Sequence, residues 1–305
     1  MKIADEMTVG ALLSAYDEHL RRVRGVCPGT RRNYARHVGE FLVTVFTDGV
    51  ADPRQIHSSD VVSFVGGAPA RYRPRTVESA ATSLRSFFRF LRSEGLCEDH
   101  LEDAVPMVPR RETFLVRHLD SAKFEQLIAS LDSTSPRGLR DRAMILCVAR
   151  LGLRGGEVAQ LLLEDLDWPN ATVRVRARKT GHGALLPLTN EVGAALARYL
   201  QHGRPATSVR EVFVLQKLRV GAPISSSIVR RAVEHALEHA GMDAPTRGAN
   251  LLRHSLATGL LEHGAGLPQI ADLMGHSSLA TTRIYAAVDV AALREVGLPW
   301  PEATS

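Results

Sequence analysis

The sequence predicts a mainly α chain with a small antiparallel β-sheet, divided into a helical first domain and an α+β second domain. Three observations predict this. Apolar residues recur at helical spacing through the first ~100 positions. Two prolines three apart, Pro106 and Pro109, then interrupt the pattern. Beyond them, helical segments flank a short stretch of apolar/polar alternation near residues 165–188.

Residues 9–22 place Leu12, Leu13, Tyr16 and Leu20 on one helical face, and residues 30–46 repeat the pattern with Tyr34, Val38, Phe41, Leu42 and Val45. Ser58 or Ser59 caps a short helix through Phe64. Residues 75–92 offer Val77, Ala81, Leu84, Phe87, Phe88 and Leu91, closed by Gly95. With no strand signal among them, residues 1–105 are expected to form an all-helical domain. The proline-bearing stretch 106–118 is a stiff, extended linker, and residues 119–305 form the second domain.

There, residues 120–131 and 137–151 read as helices, the latter stopped at Gly152, with a shorter helix over 155–163. Strands are expected at 165–168, 172–178 and 184–188, the middle one alternating Val173, Val175 and Ala177 with Arg174, Arg176 and Arg178. Pro169-Asn170 and Gly181-His182-Gly183 supply the turns. Helices resume at 191–200, 228–240, 251–263 and 268–274, with one more around Tyr285.

The 305 residues are 45% hydrophobic and 23% charged, which excludes disorder and fibrous folds. No apolar run is long enough for a membrane span, and the acid-bearing start lacks a secretory core. Cys27, Cys97 and Cys147 form no CxxC pair, so no metal cage or disulfide framework is expected and the chain reads as cytoplasmic. The net charge is +5. Arg71, Arg73, Arg75, Arg85, Arg89 and Arg92 cluster around the single acid Glu78, and Arg174, Arg176, Arg178 and Lys179 form a second group. Both are candidate phosphate-neutralising surfaces, with a solvated surface face as the ordinary alternative.

Four short segments carry chemistry. In Leu151-Gly152-Leu153-Arg154-Gly155-Gly156-Glu157, Arg154 sits between two helices, where its planar fork suits two phosphate oxygens and Glu157 can orient it. A surface Arg–Glu pair at i,i+3 is the bland reading. At the predicted hairpin tip stands Lys179, one of only four lysines, with positions 2, 123 and 217. Unlike arginine, lysine can release a proton, which makes Lys179 a candidate general acid as well as a plain backbone contact. In Asn250-Leu251-Leu252-Arg253-His254, Arg253 and His254 lie beside a stripe of Leu252, Leu256, Leu260 and Leu261. An arginine so near a core needs an anionic partner, either a carboxylate or a phosphate. Finally, Gly275-His276-Ser277 separates two helices, and Tyr285 falls about two turns into the second. A phenol becomes a nucleophile only where cations stabilise the phenolate, and a lone tyrosine is ordinarily a packing residue.

In the order Arg, Lys, Arg-His, Gly-His-Ser, Tyr, these segments resemble the tyrosine recombinase (phage integrase) family. The resemblance covers residues 113–290 and extends more loosely to the first domain, which looks like that family's SAM-like core-binding module. It implies site-specific DNA recombination without cofactor or metal, on double-stranded DNA, by a homo-tetramer or alongside related recombinases. On this resemblance Arg154 and Arg253 clamp the scissile phosphate, and Lys179 protonates the leaving 5′-oxygen. His276 supports phosphate and nucleophile, Tyr285 forms a 3′-phosphotyrosyl link, and Glu157 and His254 are supporting residues.

One position departs. The family's usual histidine or lysine three residues before the second arginine is Asn250 here. Asparagine can donate a hydrogen bond but cannot transfer a proton; a protonic role lost there would lower the rate ~10²-fold or more. A catalytically weak accessory DNA-binding protein therefore stands as an alternative; a type IB topoisomerase-like enzyme, which would share the phosphotyrosine chemistry, is another, with a transcription factor behind them. The tail stripe Val290, Leu293, Val296, Leu298 and Trp300 is compatible with local packing or docking on a neighbouring subunit.

Overall fold

The computed structural model describes residues 7–72, 74–97, 100–107, 118–176, 183–244, 246 and 248–275; for Pro69, Arg71 and Arg75 it describes the backbone alone. The chain divides into two compact units, Met1–Glu112 and Thr113–Ser305.

The first unit begins with a two-residue strand, β1 (Met7–Thr8), which pairs antiparallel with β2 (Val50–Ala51). This small sheet corrects the all-helical expectation. Two-residue strands are too short to show alternation, so the pairing leaves no mark in the sequence. Between them run α1 (Val9–Arg22), capped by the Thr8 side chain on Ala11 N, and α2 (Pro28–Val45). Next, α3 (Ser58–Arg71) starts one or two residues earlier than expected from a Ser58 or Ser59 cap: His57 is the N-cap, and its N–H donates to Asp60. The helix also outruns Phe64. Among the described side chains its last buried residue is Ala68, too small to extend the apolar pattern. The long α4 (Pro74–Ser93) packs against all three. Phe87, Phe88, Tyr16, Phe41 and Phe64 meet edge-on or tilted with centroids 5.3–5.7 Å apart, an arrangement that aromatic quadrupoles favour. Arg85 donates from Nη2 to Val105 O and Pro106 O, both at 3.0 Å, tying the chain after α4 to this unit.

In the second unit α5 (Ser121–Ala129) is capped by Asp120 on Lys123 N. Its neighbour α6 (Pro136–Leu151) has the N-cap Ser135, proline in its first turn, and Gly152 at its end with φ +66, a left-handed stop suited to glycine. Leu139 and the whole run Ala143–Ala149 are buried, so the second half of α6 runs through the core with apolar residues on every side. The next helix, α7 (Gly155–Ala159), ends earlier than expected. There Leu162 bridges to Glu211, and Asp165 caps a 3-10 turn by accepting from Leu162 N. Strands β3 (Leu166–Asp167), β4 (Thr172–Val175) and β5 (Ala184–Pro187) form an antiparallel sheet in sequence order, with Val173 opposite Leu186 and Val175 opposite Ala184. After α8 (Asn190–Arg198) the chain continues through a wide π turn, Tyr199–Gly203, against the start of α6. Then α9 (Ser226–His239), α10 (Ala249–Glu262) and α11 (Leu267–Met274) complete the unit. The leucine stripe of α10 is less buried than expected: Leu252 is fully buried, while Leu256, Leu260 and Leu261 are half-buried around Ala257, Ile270 and Met274.

Candidate active site

Gly152 turns the chain out of α6 and leaves Arg154 as the N-cap residue of α7. Its peptide N–H donates to Glu157 Oε2 and its Nη1 to Glu157 Oε1, both at 2.8 Å. One carboxylate thus caps the helix and orients the guanidinium. Nη2 donates to Gly275 O at 2.8 Å, 121 positions along the chain. Glu157 is largely buried while Arg154 stays half-exposed, so this is more than a surface i,i+3 pair.

Arg253 projects from α10 and is buried, and its Nη2 donates to Met274 O at 2.9 Å. Met274 and Gly275 are consecutive, at the end of α11, where Gly275 takes φ +55. The last carbonyls of a helix have no intrahelical partner and carry the negative end of its dipole. Two arginines from distant segments converge on them, one residue before His276. These two acceptors leave no mark in the sequence, because backbone oxygens have no residue type.

Gly152 faces the same junction from the other side. A β-carbon there would lie 3.3 Å from Met274 Sδ and 3.4 Å from Leu256 Cδ2. Asn250 is exposed in the first turn of α10, three residues before Arg253 and so near the same helix face. His254 is half-buried, and its pKa is lowered by burial first, then by Arg253 and His118. Ser255, which the sequence reading passed over, accepts from Leu119 N at 2.8 Å and donates to Leu251 O, anchoring the segment before α5 to α10.

On the sheet, Arg174 is exposed and faces Leu185 across β4–β5. Arg176 is half-exposed and donates from Nε to Asp165 Oδ1 at 2.8 Å, where the carboxylate is buried. Arg176 therefore neutralises an internal charge, a role its alternating position did not reveal. In the first unit Arg89 is exposed, while Arg85 is half-buried on its two carbonyl bonds. The side chains of Arg71, Arg73 and Arg75 lie outside the described residues, as do Arg178, Lys179, His276 and Tyr285. Lys179 falls within the connection between Val175 and Ala184, whose pairing closes the hairpin. Among the described residues no group of three or more His, Cys, Asp or Glu side chains is placed to hold a metal, and no helix is long and apolar enough to cross a membrane.

The model of the phage integrase family matches residues 117–291, and that of the phage integrase N-terminal SAM-like domain matches residues 13–95. The chain belongs to the phage integrase family. It is a tyrosine recombinase, an enzyme of DNA recombination. Among its relatives, the putative integrase/recombinase y4rA of Sinorhizobium fredii is 38% identical over 291 residues, covering 95% of this chain and 70% of that protein. Tyrosine recombinase XerD of Mycobacterium tuberculosis is 31% identical over 310 residues, covering 95% and 96%. The recombinase shares its fold with XerH bound to palindromic difH substrate, at TM-score 0.73 and 20% identity over 95% of this chain and 85% of that one. A lambda integrase dimer bound to a COC′ core site superposes at TM-score 0.66 and 19% identity, covering 92% and 95%.

Proposed function

We propose that this recombinase cuts and rejoins specific sites in duplex DNA through a 3′-phosphotyrosyl link on Tyr285. The observation that carries this reading is the convergence of Arg154 and Arg253 on the consecutive carbonyls of Met274 and Gly275. Two guanidiniums fixed there, one half-exposed, form an electrostatic seat for a phosphate whose non-bridging oxygens gain charge in the transition state. Tyr285 releases its phenol proton to solvent and attacks the phosphorus as a phenolate stabilised by the surrounding cations, the bond to the 5′-oxygen breaks, and Lys179 protonates that oxygen. His276 and Asn250 donate to the phosphate, and Glu157 and His254 hold the two arginines. The phosphodiester energy stays in the covalent link, so resealing needs no nucleotide and no metal.

The exposed arginines Arg89 and Arg174, together with Arg71, Arg73, Arg75 and Arg178, contact the DNA backbone; Arg85 and Arg176 divide their guanidiniums between that role and internal bonds. The domain boundary falls in residues 106–118. The working form is a tetramer joining two sites, in the cytoplasm where bacterial DNA lies. Relatives named integrase/recombinase and a fold shared with transposon Tn1549 integrase bound to circular-intermediate DNA favour service to a mobile element.

The test is covalent trapping on nicked duplexes made from sequence flanking the gene. A protein–DNA adduct that survives denaturing electrophoresis and disappears in Tyr285→Phe is the expected result. Tight binding to the cognate site with no adduct would overturn it and leave an accessory DNA-binding role, in which Asn250 has replaced a proton-transferring residue.

A further inference from the structure

Among the described residues, the second unit buries one acid, Asp165, and the chemistry of the phosphate seat gives it no part. Asp165 ends the 3-10 turn Leu163–Asp165 that follows α7, the helix begun by Arg154. Its Oδ2 accepts from Leu162 N at 3.0 Å and its Oδ1 from Arg176 Nε at 2.8 Å. A buried carboxylate needs such partners, and here both oxygens have one. The turn is itself fixed from a third segment. Leu163 N donates to Arg210 O at 2.9 Å, and Val212 N donates to Leu161 O at 2.8 Å. The carboxylate is therefore a rigid post, and Arg176 is what it holds.

Arg176 is the first residue beyond β4, whose last paired rung is Val175 opposite Ala184. Within the sheet, buried Val173 and Leu186 anchor the strands to the core. Past Val175 the ion pair takes over from the ladder and extends the anchored chain by one residue. Lys179 comes three residues later, within about 10 Å of Arg176 along an extended chain. The same post borders the phosphate seat: Asp165, Arg174 and Arg176 line one small cavity together with Glu157 and Gln160. Glu157 orients Arg154. The carboxylate that fixes the exit of β4 thus shares a wall with the carboxylate that fixes an active-site arginine.

We propose that Asp165, acting through Arg176, is a positioning residue for the leaving-group step: their ion pair fixes the root of the hairpin arm from which Lys179 protonates the 5′-oxygen. The inference rests on the recombination reading, in which Lys179 is the general acid. Proton transfer requires hydrogen-bond reach, and a displacement of about 1 Å costs on the order of 10²-fold in rate. An ion pair at the root of the arm limits that displacement without touching the DNA or the proton itself.

A leaving group that needs no proton separates this role from general support of the fold. In a duplex whose scissile 5′-bridging oxygen is replaced by sulfur, the Tyr285 oxygen bonds to phosphorus and the P–S bond breaks. Sulfur departs with the electron pair as a thiolate; a cysteine-like thiol ionises near pH ~8.5, far below an alcohol, so a general acid adds little. Single-turnover cleavage of prebound complexes, on duplexes made from sequence flanking the gene, removes affinity from the comparison. Arg176→Gln is expected to cleave the ordinary duplex about 10–100-fold more slowly than the unaltered chain, and the sulfur-bridged duplex at nearly the same rate. Arg176→Lys, which keeps a cation beside Asp165, should recover most of the loss. Where Arg176→Gln lowers the melting temperature by leaving Asp165 uncompensated, Arg176→Gln with Asp165→Asn supplies a neutral pair for the same comparison. Lys179→Ala is run alongside. If sulfur rescues Lys179→Ala while the Arg176 variants are slowed equally on both duplexes, or on neither, this inference alone is overturned. If Lys179→Ala is slowed as much on the sulfur-bridged duplex as on the ordinary one, Lys179 is not the general acid and the recombination chemistry assigned to it falls too.

Discussion

Arg154 and Arg253 are the same residue type set to different degrees of constraint. Glu157 spends one oxygen on the helix N-terminus and the other on Arg154, so the guanidinium is oriented by the element it caps. Arg253 is buried, where an uncompensated charge is costly, and the Met274 carbonyl meets part of its need. Two histidines carry a pH consequence. His37 has its pKa lowered by burial and then Arg36, with Glu40 acting the other way; His254 has its pKa lowered by burial, Arg253 and His118. Both groups bind a proton less readily folded than unfolded, so the unfolded chain takes up more protons and stability rises with pH. Their contribution is complete above about pH 6.5 and declines as pH falls through the depressed folded values. Urea midpoints should therefore drop between about pH 7.5 and 5.5. His37→Gln should flatten part of that slope, and an unchanged slope would refute the assignment to His37.

Helix ends, more than helix interiors, build the candidate site. The end of α6 at Gly152, the start of α7 at Arg154 and the end of α11 at Gly275 meet in one place. Gly152→Ala is expected to destabilise the second unit by about 1–2 kcal/mol from its left-handed φ, and by more if Met274 cannot shift from the 3.3 Å contact. Equilibrium urea unfolding measures this, and a loss near zero would mean the junction is looser than its geometry. The helices were legible because each buries a stripe at 3.6-residue spacing: Leu12, Tyr16 and Leu20 of α1 are buried as the periodicity required. The π turn Tyr199–Gly203 and the truncated α7 were not, since both depend on residues far along the chain, Pro136 and Glu211. Likewise, the junction glycines declared themselves as stops, but not as packing partners of Met274.

At the scale of the whole chain, each unit has a core of its own, one around Tyr16, Phe41 and Phe87 and one around Met144, Leu146 and Phe213. Separate cores predict separate folding. Fragments 1–112 and 113–305 should each give a cooperative thermal transition; a fragment with no transition would mean that its core depends on the other. The sequence by itself determined the family, the helical order and most of the candidate residues, because motif spacing and apolar period are properties of local chain. It also marked Asn250 as a departure. Tertiary structure alone decided that Arg154 and Arg253 share the end of α11 and that Arg176 neutralises buried Asp165. The physical reason is common to both: backbone carbonyls and buried charge acquire their partners only when distant segments are brought together.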